Sequence, residues 1–247
     1  MTSAQVKALT TAQLAVMSYE QMRAIAYEDD VGTPGNENML SLLSASQIAA
    51  LSAEQIRALE GDGRAGAQLT DAQLKALKGG QMDAVSSLEN SQIAKLTATQ
   101  IKSLSVDQLR SMSAGQFAAL TTAQIQSFTS AQLDTIDLFS ANQIKSLTTK
   151  QISGLNEAQL QIMTSDQLQA LTGTQFRALG TKVNLLSDMQ VQDLSASQVR
   201  AMTTAQVGAL TQDQVIALSA DNLSVLDNNQ IKALNFVAIF PMSSLAS

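Results

Sequence analysis

Apolar and polar positions follow one another along the chain in a phrase of eight residues that recurs almost from end to end. Each phrase contains an apolar residue, a small polar residue, two variable residues, a Gln and a second apolar residue. In the stretch LTTAQIQSF these positions are Leu120, Thr121, Gln124 and Ile125, and the next phrase begins at Phe128. The chain is therefore built from internal repeats, and its fold has to be derived from the eight-residue period.

The polar positions of the phrase vary little along the chain. The small polar residue is Ser, Thr, Asn or Asp except at Lys78 and Glu89, and Asn222 replaces the Gln once. The glutamines stand at residues 5, 13, 21, 47, 55, 73, 81, 92, 100, 108, 116, 124, 132, 143, 151, 159, 167, 175, 190, 198, 206, 214 and 230.

A period of eight fits neither a continuous helix nor a strand. At 100° per residue, the apolar stripe of one long helix would advance by about 80° with each phrase and soon circle the helix. In a strand the two apolar positions are an odd number of residues apart, so they would face opposite sides of the sheet. We conclude that the helix is interrupted once in every phrase.

The phrase itself supplies a helix start. Ser or Thr followed three residues later by Gln is the capping box, and the apolar residues on either side of it form the hydrophobic staple. Units this short are marginal alone, so they have to share one core with their neighbours. The sequence predicts an all-α solenoid of very short capped helices. The predicted capping residues of two successive units are Thr121, Gln124, Thr129 and Gln132, and their predicted core residues are Leu120, Ile125, Phe128 and Leu133.

Interruptions of the period suggest the domain organisation. We expect one repeat domain over residues 1–234, with loops at about 26–42, 60–66 and 180–186. Additions of three residues near 86–88 and 137–139 are interpreted as corrections of a mismatch between phrase and coil. Residues 235–247 contain an apolar cluster, which predicts a cap over the last coil. A docking patch for a following domain or subunit is the alternative interpretation of that segment.

Composition excludes several function classes. The net charge is −6 and the 15 basic residues are spread along the chain, which argues against nucleic-acid binding. The chain has no Cys and no His, so thiol nucleophiles, triads built on His and His-ligated zinc are excluded. No apolar run approaches the length of a membrane span, and the N-terminus has no signal-peptide h-region.

Two motifs outside the repeat were weighed as sites. GDGRAG at residues 61–66 matches the G-x-G-x-x-G pattern, but it lacks the strand and full helix of a dinucleotide site, so a flexible loop is expected. Asp29, Asp30 and Glu37 could offer oxygen ligands to Ca²⁺, although their spacing fits no EF-hand and a solvated acidic loop is the alternative. We expect no cofactor and no enzymatic activity.

The phrase LTTAQ, at 9–13 and 120–124, resembles octapeptide arrays in long secreted or surface proteins of Gram-negative bacteria, including adhesin-like and type III secretion-associated chains. The resemblance implies a bacterial source and a secreted or cell-surface location. The function expected is a non-enzymatic structural or adhesive scaffold. The alternative is a protein-interaction module that binds along the solenoid and its loops. Either role allows a protein partner or end-to-end self-association.

Overall fold

The computed structural model describes residues 2–26, 39–60 and 69–234, and within these ranges the backbone forms short helices and no strand. Their order confirms the predicted all-α solenoid class. The α-helices are Ser3–Ala8 (α1), Thr11–Ala15 (α2), Tyr19–Ala26 (α3), Ala45–Ile48 (α4), Ala53–Glu60 (α5), Asp71–Ala76 (α6), Asn90–Ile93 (α7), Ala98–Ser103 (α8), Val106–Arg110 (α9), Ala114–Ala118 (α10), Thr122–Gln126 (α11), Ala141–Ser146 (α12), Thr149–Gly154 (α13), Glu157–Gln161 (α14), Ser165–Ala170 (α15), Gly173–Ala178 (α16), Asp188–Gln192 (α17), Ala196–Ala201 (α18), Thr204–Ala209 (α19), Gln212–Ala217 (α20), Ala220–Ser224 (α21) and Asn228–Ala233 (α22). The 3-10 helices are Met39–Leu42 (η1), Gly79–Ser87 (η2), Gln132–Leu138 (η3) and Gly180–Leu185 (η4).

The chain divides into two compact units, residues 1–127 and residues 128–247. Each unit is a stack of these short helices, joined within the described ranges by corners of one to four residues. The apolar residues of the repeated phrase point into the stack, and most of them are almost completely buried. Both units therefore have a thin aliphatic interior of repeated composition.

Each helix ends where the next phrase begins, because the corner residues change the direction of the chain and the next cap starts a new helix. At the corner after α8, Leu104 (φ −67°, ψ 135°) and Ser105 (φ −74°, ψ 165°) both adopt extended backbone. The Leu side chain enters the core, and the Ser side chain caps α9. Two extended residues are enough to turn the chain, because helical backbone resumes immediately after the cap.

The interruption at residues 180–186 is not a loop, so this prediction was wrong. Gly180–Leu185 forms the 3-10 helix η4, and its Val183 is fully buried. Gly180 has φ +58°, a left-handed conformation that Gly adopts without steric cost, and this turn redirects the chain into η4. Of the predicted loop at 26–42, residues 39–42 form η1, whereas residues 27–38 and the predicted loop at 60–66 beyond Glu60 lie outside the described residues. The predicted C-terminal cap at 235–247 lies outside them as well.

The left-handed turn before η4 gives a test of this packing. We expect Gly180→Ala to lower the free energy of unfolding by about 1–2 kcal/mol, because a Cβ disfavours positive φ even though no atom lies within 4 Å of it. Gly154→Ala is the matched control, since Gly154 is helical and its Cβ would also meet no atom. It should raise stability by about 0.5–1 kcal/mol. Urea unfolding followed by circular dichroism measures both, and equal effects of the two substitutions would contradict the assignment.

Candidate functional site

The repeated polar residues form the helix starts. At the N-terminus of α11, the Thr121 Oγ1 accepts from the Gln124 backbone N–H at 3.3 Å, and the Thr121 N–H donates to the Gln124 Oε1 at 2.8 Å. Thr129 and Gln132 make the same two bonds, at 3.3 and 3.0 Å. Two hydrogen-bonding groups that the helix cannot satisfy internally are thereby paired at each start.

The predicted core residues lie where the repeat places them. Leu120 and Ile125 are buried in the first unit, and Phe128 and Leu133 are buried in the second. Phe128 packs edge-on against Phe139, with ring centroids 5.5 Å apart. Aromatic pairs favour this geometry, so the two rings stabilise the interior beyond the area that they bury.

Two starts lack the hydroxyl half of the box. Lys78 and Glu89 make no side-chain cap bond, but each still donates its backbone N–H to the Gln Oε1 three residues later, at 3.1 and 2.7 Å. Both of these starts keep the glutamine half of the capping box. The Gln is therefore the more restrictive position of the phrase.

The glutamine has a second bonding role besides capping. The sequence pattern predicts only the capping role for this residue. The Gln124 Nε2 donates to the backbone carbonyls of Ile93 and Leu96, at 2.7 and 2.8 Å. Those two carbonyls belong to the end of α7 and the corner after it, one coil earlier in the chain. One side chain thus starts its own helix and fastens it to the preceding coil.

The same pair of roles recurs in both units, and we call the set of Nε2-to-carbonyl bonds the glutamine ladder. In every case the donor lies in a later coil than the acceptor. The ladder donors in the first unit are Gln47, Gln55, Gln73, Gln81, Gln92, Gln100, Gln116 and Gln124. Those in the second unit are Gln151, Gln159, Gln167, Gln175, Gln190, Gln198, Gln206, Gln214 and Gln230. Asn222 makes the equivalent bond to the Leu194 carbonyl through its Nδ2, without the glutamine half of the capping box.

A signal for the ladder was present in the sequence. A capping box accepts either Glu or Gln at its third helical position, because only an acceptor oxygen is needed there. In this chain the position is never Glu. The exclusion of Glu indicates that the NH₂ group is also required, as the ladder explains.

The ladder shows that four helical segments complete one coil. Gln124 of α11 reaches the end of α7, with α8, α9 and α10 between them. Gln190 of α17 reaches Leu160 and Met163 at the end of α14, with α15, α16 and η4 between them. The 3-10 helix η4 thus counts as one side of its coil.

The additions of three residues also supply a side of a coil. η3 is kinked at Thr135 (φ −98°, ψ 16°), so that it holds two short segments. Gln159 donates to the Asp134 carboxylate at 2.7 Å in the first of them, and Gln167 donates to the Ile136 and Phe139 carbonyls at 2.9 and 2.7 Å in the second. The second segment of η3 has no Gln of its own, but it still forms one side of its coil.

Lys182 takes the place of a glutamine in η4. Its Nζ donates to the backbone carbonyls of Ser153 and Leu155, at 2.7 and 2.8 Å, at the end of α13. These carbonyls correspond to the pair that a Gln amide binds elsewhere. The half-buried Lys182 thus joins the coils at a side where the phrase is missing.

The remaining candidate chemistry is limited by the ranges that the structure describes. Asp29, Asp30 and Glu37, which were candidates for a cation site, lie outside the described residues, as does the GDGRAG motif at 61–66. Within residues 2–26, 39–60 and 69–234, no group of three or more Asp and Glu side chains is placed to hold a metal ion. In the same ranges, every buried side-chain nitrogen and oxygen has a hydrogen-bond partner.

The surface carries both signs of charge. Lys95 and Asp71 form an exposed ion pair at 2.7 Å. The hydrogen bond from Lys95 lowers the pKa of the Asp71 carboxyl from its ordinary value. None of the helices in the described part of the chain is both long enough and apolar enough to cross a membrane.

Comparison with known proteins supports the repeat. The family model described as the ALTTAQ repeat matches residues 85–122 in the first unit and 186–220 in the second. The letters ALTTAQ themselves occur at residues 8–13 and 119–124. No curated protein matches the chain. The chain is therefore a repeat-containing protein, with segments similar to the ALTTAQ repeat.

The two roles of the glutamine can be separated by substitution. Gln175 is buried, and its Nε2 donates to the Leu147 carbonyl at 2.8 Å. Gln175→Glu keeps an acceptor for the Thr172 N–H but turns the donor into an oxygen that faces carbonyl oxygens. We expect the free energy of unfolding to fall by about 3 kcal/mol at pH 7. Gln13→Glu is the matched control, because Gln13 makes the same cap but is exposed, and it should change stability by less than about 0.5 kcal/mol.

The pH dependence of the Gln175→Glu variant provides a further check. Burial against carbonyl oxygens raises the pKa of the introduced carboxyl in the folded state. A raised folded-state pKa means that the protonated form is favoured by folding, so the deficit against wild type should shrink as the pH falls towards the ordinary Glu pKa of about 4.3. Denaturant unfolding of variant and wild type at matched pH values measures this. A deficit that is independent of pH would contradict the ladder geometry.

The substitute donor in η4 can be tested in the same way. Lys182→Met keeps the aliphatic stem and removes the donor to the Ser153 and Leu155 carbonyls. We expect a loss of about 1–2 kcal/mol, since these bonds involve a charged group. Lys150→Met is the control, because Lys150 is exposed on α13, and it should have almost no effect. Thermal unfolding of both variants decides whether Lys182 joins the coils.

Proposed function

We propose that this protein is a non-enzymatic scaffold, a structural or adhesive segment of a bacterial secreted or surface protein. The observation that carries the proposal is the glutamine ladder. The repeated hydroxyl and amide side chains of Ser, Thr and Gln are the most abundant polar groups of the phrase. They make the hydrogen bonds that start helices and join coils. Their polar atoms serve the architecture.

Stiffness is the property that such a ladder provides. In a stack of repeats, stability is the sum of each unit and its contacts with its neighbours. Within each unit, successive described coils contact one another through apolar side chains and through amide bonds that are mostly buried. Because a buried amide that loses its partners costs about 1–3 kcal/mol, bending a coil away from its neighbour is opposed at several positions at once.

The exposed surface also favours a scaffold. Acidic and basic side chains are interspersed, and the large apolar side chains that reach solvent belong to separate segments. In the described part of the chain these apolar residues are Val16, Tyr19, Leu138, Ile162, Met189, Ile216 and Ile231. Apolar residues scattered singly over a surface are normal, whereas a binding surface requires a contiguous patch.

The location is proposed from the resemblance. Octapeptide arrays with the phrase LTTAQ resemble those of long secreted or surface proteins of Gram-negative bacteria. A stack of identical small compartments is suited to such chains, because its length can be set by the number of phrases. A secreted or cell-surface location follows from this resemblance and remains part of the proposal.

A protein-interaction module is the second candidate, and three side chains favour it. Val16, Met189 and Ile216 are 82%, 74% and 65% exposed, well above the other apolar residues of the surface. If they were contacts for a partner, Met189→Gln combined with Ile216→Gln would abolish co-purification of that partner from the source organism. A scaffold would be unaffected by these two substitutions.

Rigidity can be measured directly, because the chain has no native cysteine. Lys150→Cys and Asn229→Cys place two exposed labels on α13 and α22 of the second unit. Single-molecule energy transfer at picomolar concentration should give one narrow distance distribution. The Met189→Gln and Ile216→Gln changes should leave it unaltered, whereas Gln175→Glu should broaden it, since a ladder bond is lost. A broad distribution in the unmodified background would reject the scaffold.

A further inference from the structure

Charged side chains on the second unit are sorted between two groups of neighbouring helices. Over the described surface as a whole the two signs are interspersed, and the sequence of this unit mixes them as well. However, the charged residues of α15, α17 and α20 are all acidic, whereas those of α13, α16 and α18 are all basic. The sorting arises because each phrase turns the chain, so that charges close in sequence come to lie on different sides of the unit.

We call the side formed by α15, α17 and α20 the acidic face. These helices lie next to one another, since Ser165 of α15 donates to the Asp193 carboxylate at the end of α17, Gln169 Nε2 donates to the Asp193 carbonyl at 2.7 Å, and α17 contacts α20. No Lys or Arg occurs on the three helices, so the fields of their carboxylates add. The exposed acidic residues of this face are Asp166, Asp188, Asp193 and Asp213.

We call the side formed by α13, α16 and α18 the basic face. Here α13 contacts α16, and α16 lies close to α18, because a Cβ added to Gly173 would be 3.2 Å from the Ala201 Cβ. No Asp or Glu occurs on these three helices. The exposed basic residues of this face are Lys150, Arg177 and Arg200. Both arginines stand two residues after a ladder glutamine, so they occupy the same position of successive phrases on this face.

The two faces match each other in the number and spacing of their charges. Each helix of the acidic face has an Asp in its first turn, and each helix of the basic face has one cation. Neighbouring helices on either face belong to the same stack, so both rows of charges advance by the same packing distance, about 8–10 Å per helix. A row of three carboxylates can therefore face a row of three cations in register.

We propose that the acidic face of one molecule binds side by side to the basic face of a second copy of this chain. A second copy fits this face better than an unrelated partner, because only the same stack repeats its cations at the spacing of the carboxylates. The arginines favour the contact further, since a guanidinium pairs with a carboxylate through two hydrogen bonds. This inference rests on the proposed scaffold role and deepens it, because scaffolds would then be joined laterally.

The contact has two properties that follow from its charges. Exposed ion pairs are weak one by one and are screened by salt, so binding depends on the row acting together and weakens as the ionic strength rises. The chain has a net charge of −6, so two copies repel each other unless the opposite faces meet. Because the faces differ, each bound copy still offers one free face, and association continues past the dimer unless it closes into a ring.

Sedimentation equilibrium of the full chain gives the first test. At about 50 mM NaCl the weight-average mass should rise with protein concentration between about 10 μM and about 1 mM. Raising NaCl to about 500 mM should lower the association constant at least about tenfold, because the Debye length then falls below the spacing of the charges. A chain that stays monomeric over the whole range would leave the two faces to partners of another kind and overturn the proposal, as would association that salt strengthens.

Substitution of the acidic face gives the second test. The combined variant Asp166→Asn, Asp188→Asn and Asp213→Asn should weaken association at least about tenfold, since three ion pairs are lost. The matched control is Glu54→Gln, Asp107→Asn and Glu157→Gln, which removes the same charge from exposed first-turn positions outside the face. The control should not weaken association, because a lower net charge reduces the general repulsion between copies. An equal loss in the two variants, or no loss in the first, would contradict the assigned face.

A mixing experiment tests whether the two faces bind each other. The combined variant Lys150→Gln, Arg177→Gln and Arg200→Gln removes the basic face and keeps the acidic one, the reverse of the first variant. Each variant alone should be monomeric, whereas an equal mixture should form a dimer of the two kinds and stop there, because each partner has one intact face. A mixture that remains monomeric although both variants keep the circular dichroism spectrum and unfolding midpoint of the wild type would overturn the proposal.

The tests of lateral binding and of the scaffold are independent. The energy-transfer measurement uses isolated molecules at picomolar concentration, so the absence of lateral binding leaves its result unchanged. Conversely, a broad distance distribution in isolated molecules would reject the scaffold whatever the sedimentation data show.

Discussion

Both units depend on the two sets of hydrogen bonds made by the amide group of the repeated glutamine. Its oxygen accepts from the start of its own helix, and its nitrogen donates to the coil before it, as Gln198 does to the Leu168 carbonyl at 2.7 Å. A primary amide is the smallest common side chain that offers both groups in a plane. Because local helix initiation and coil packing share one residue, a helix that starts in the wrong register also loses its contact with the preceding coil.

Irregular stretches are tolerated because the coil requires a count of sides and a donor, not a fixed number of residues. A 3-10 helix replaces an α-helix at η4, and two short segments fit within η3. Where the phrase is absent, Lys182 donates to the carbonyls instead, and at η3 the Asp134 carboxylate accepts from Gln159 together with the Ser130 carbonyl. Departures from the period therefore keep the hydrogen bonds that join successive coils.

The local architecture was predictable from the sequence, whereas the closure of the coil was not. Thr121, Gln124 and Ile125 could be placed because capping and staple positions depend on neighbours within a few residues. The count of four segments depends on the angle at each corner, which no short-range pattern encodes. The loop predicted at residues 180–186 was wrong for the same reason, since its role appears only when η4 is seen to be bound by Lys182 to the end of α13. The ladder itself was accessible, because the exclusion of Glu had no other explanation.

The quarter-turn size of the phrase has a consequence for how such a protein can change in length. When one repeat equals one full coil, adding a repeat adds a whole layer. Here one phrase equals one of four interchangeable sides, so an in-frame duplication or loss of eight codons leaves every later segment resting on a partner of the same kind. The gene can therefore grow or shrink in the smallest step without a mismatched junction, and each step rotates the outgoing end by about ninety degrees about the stack.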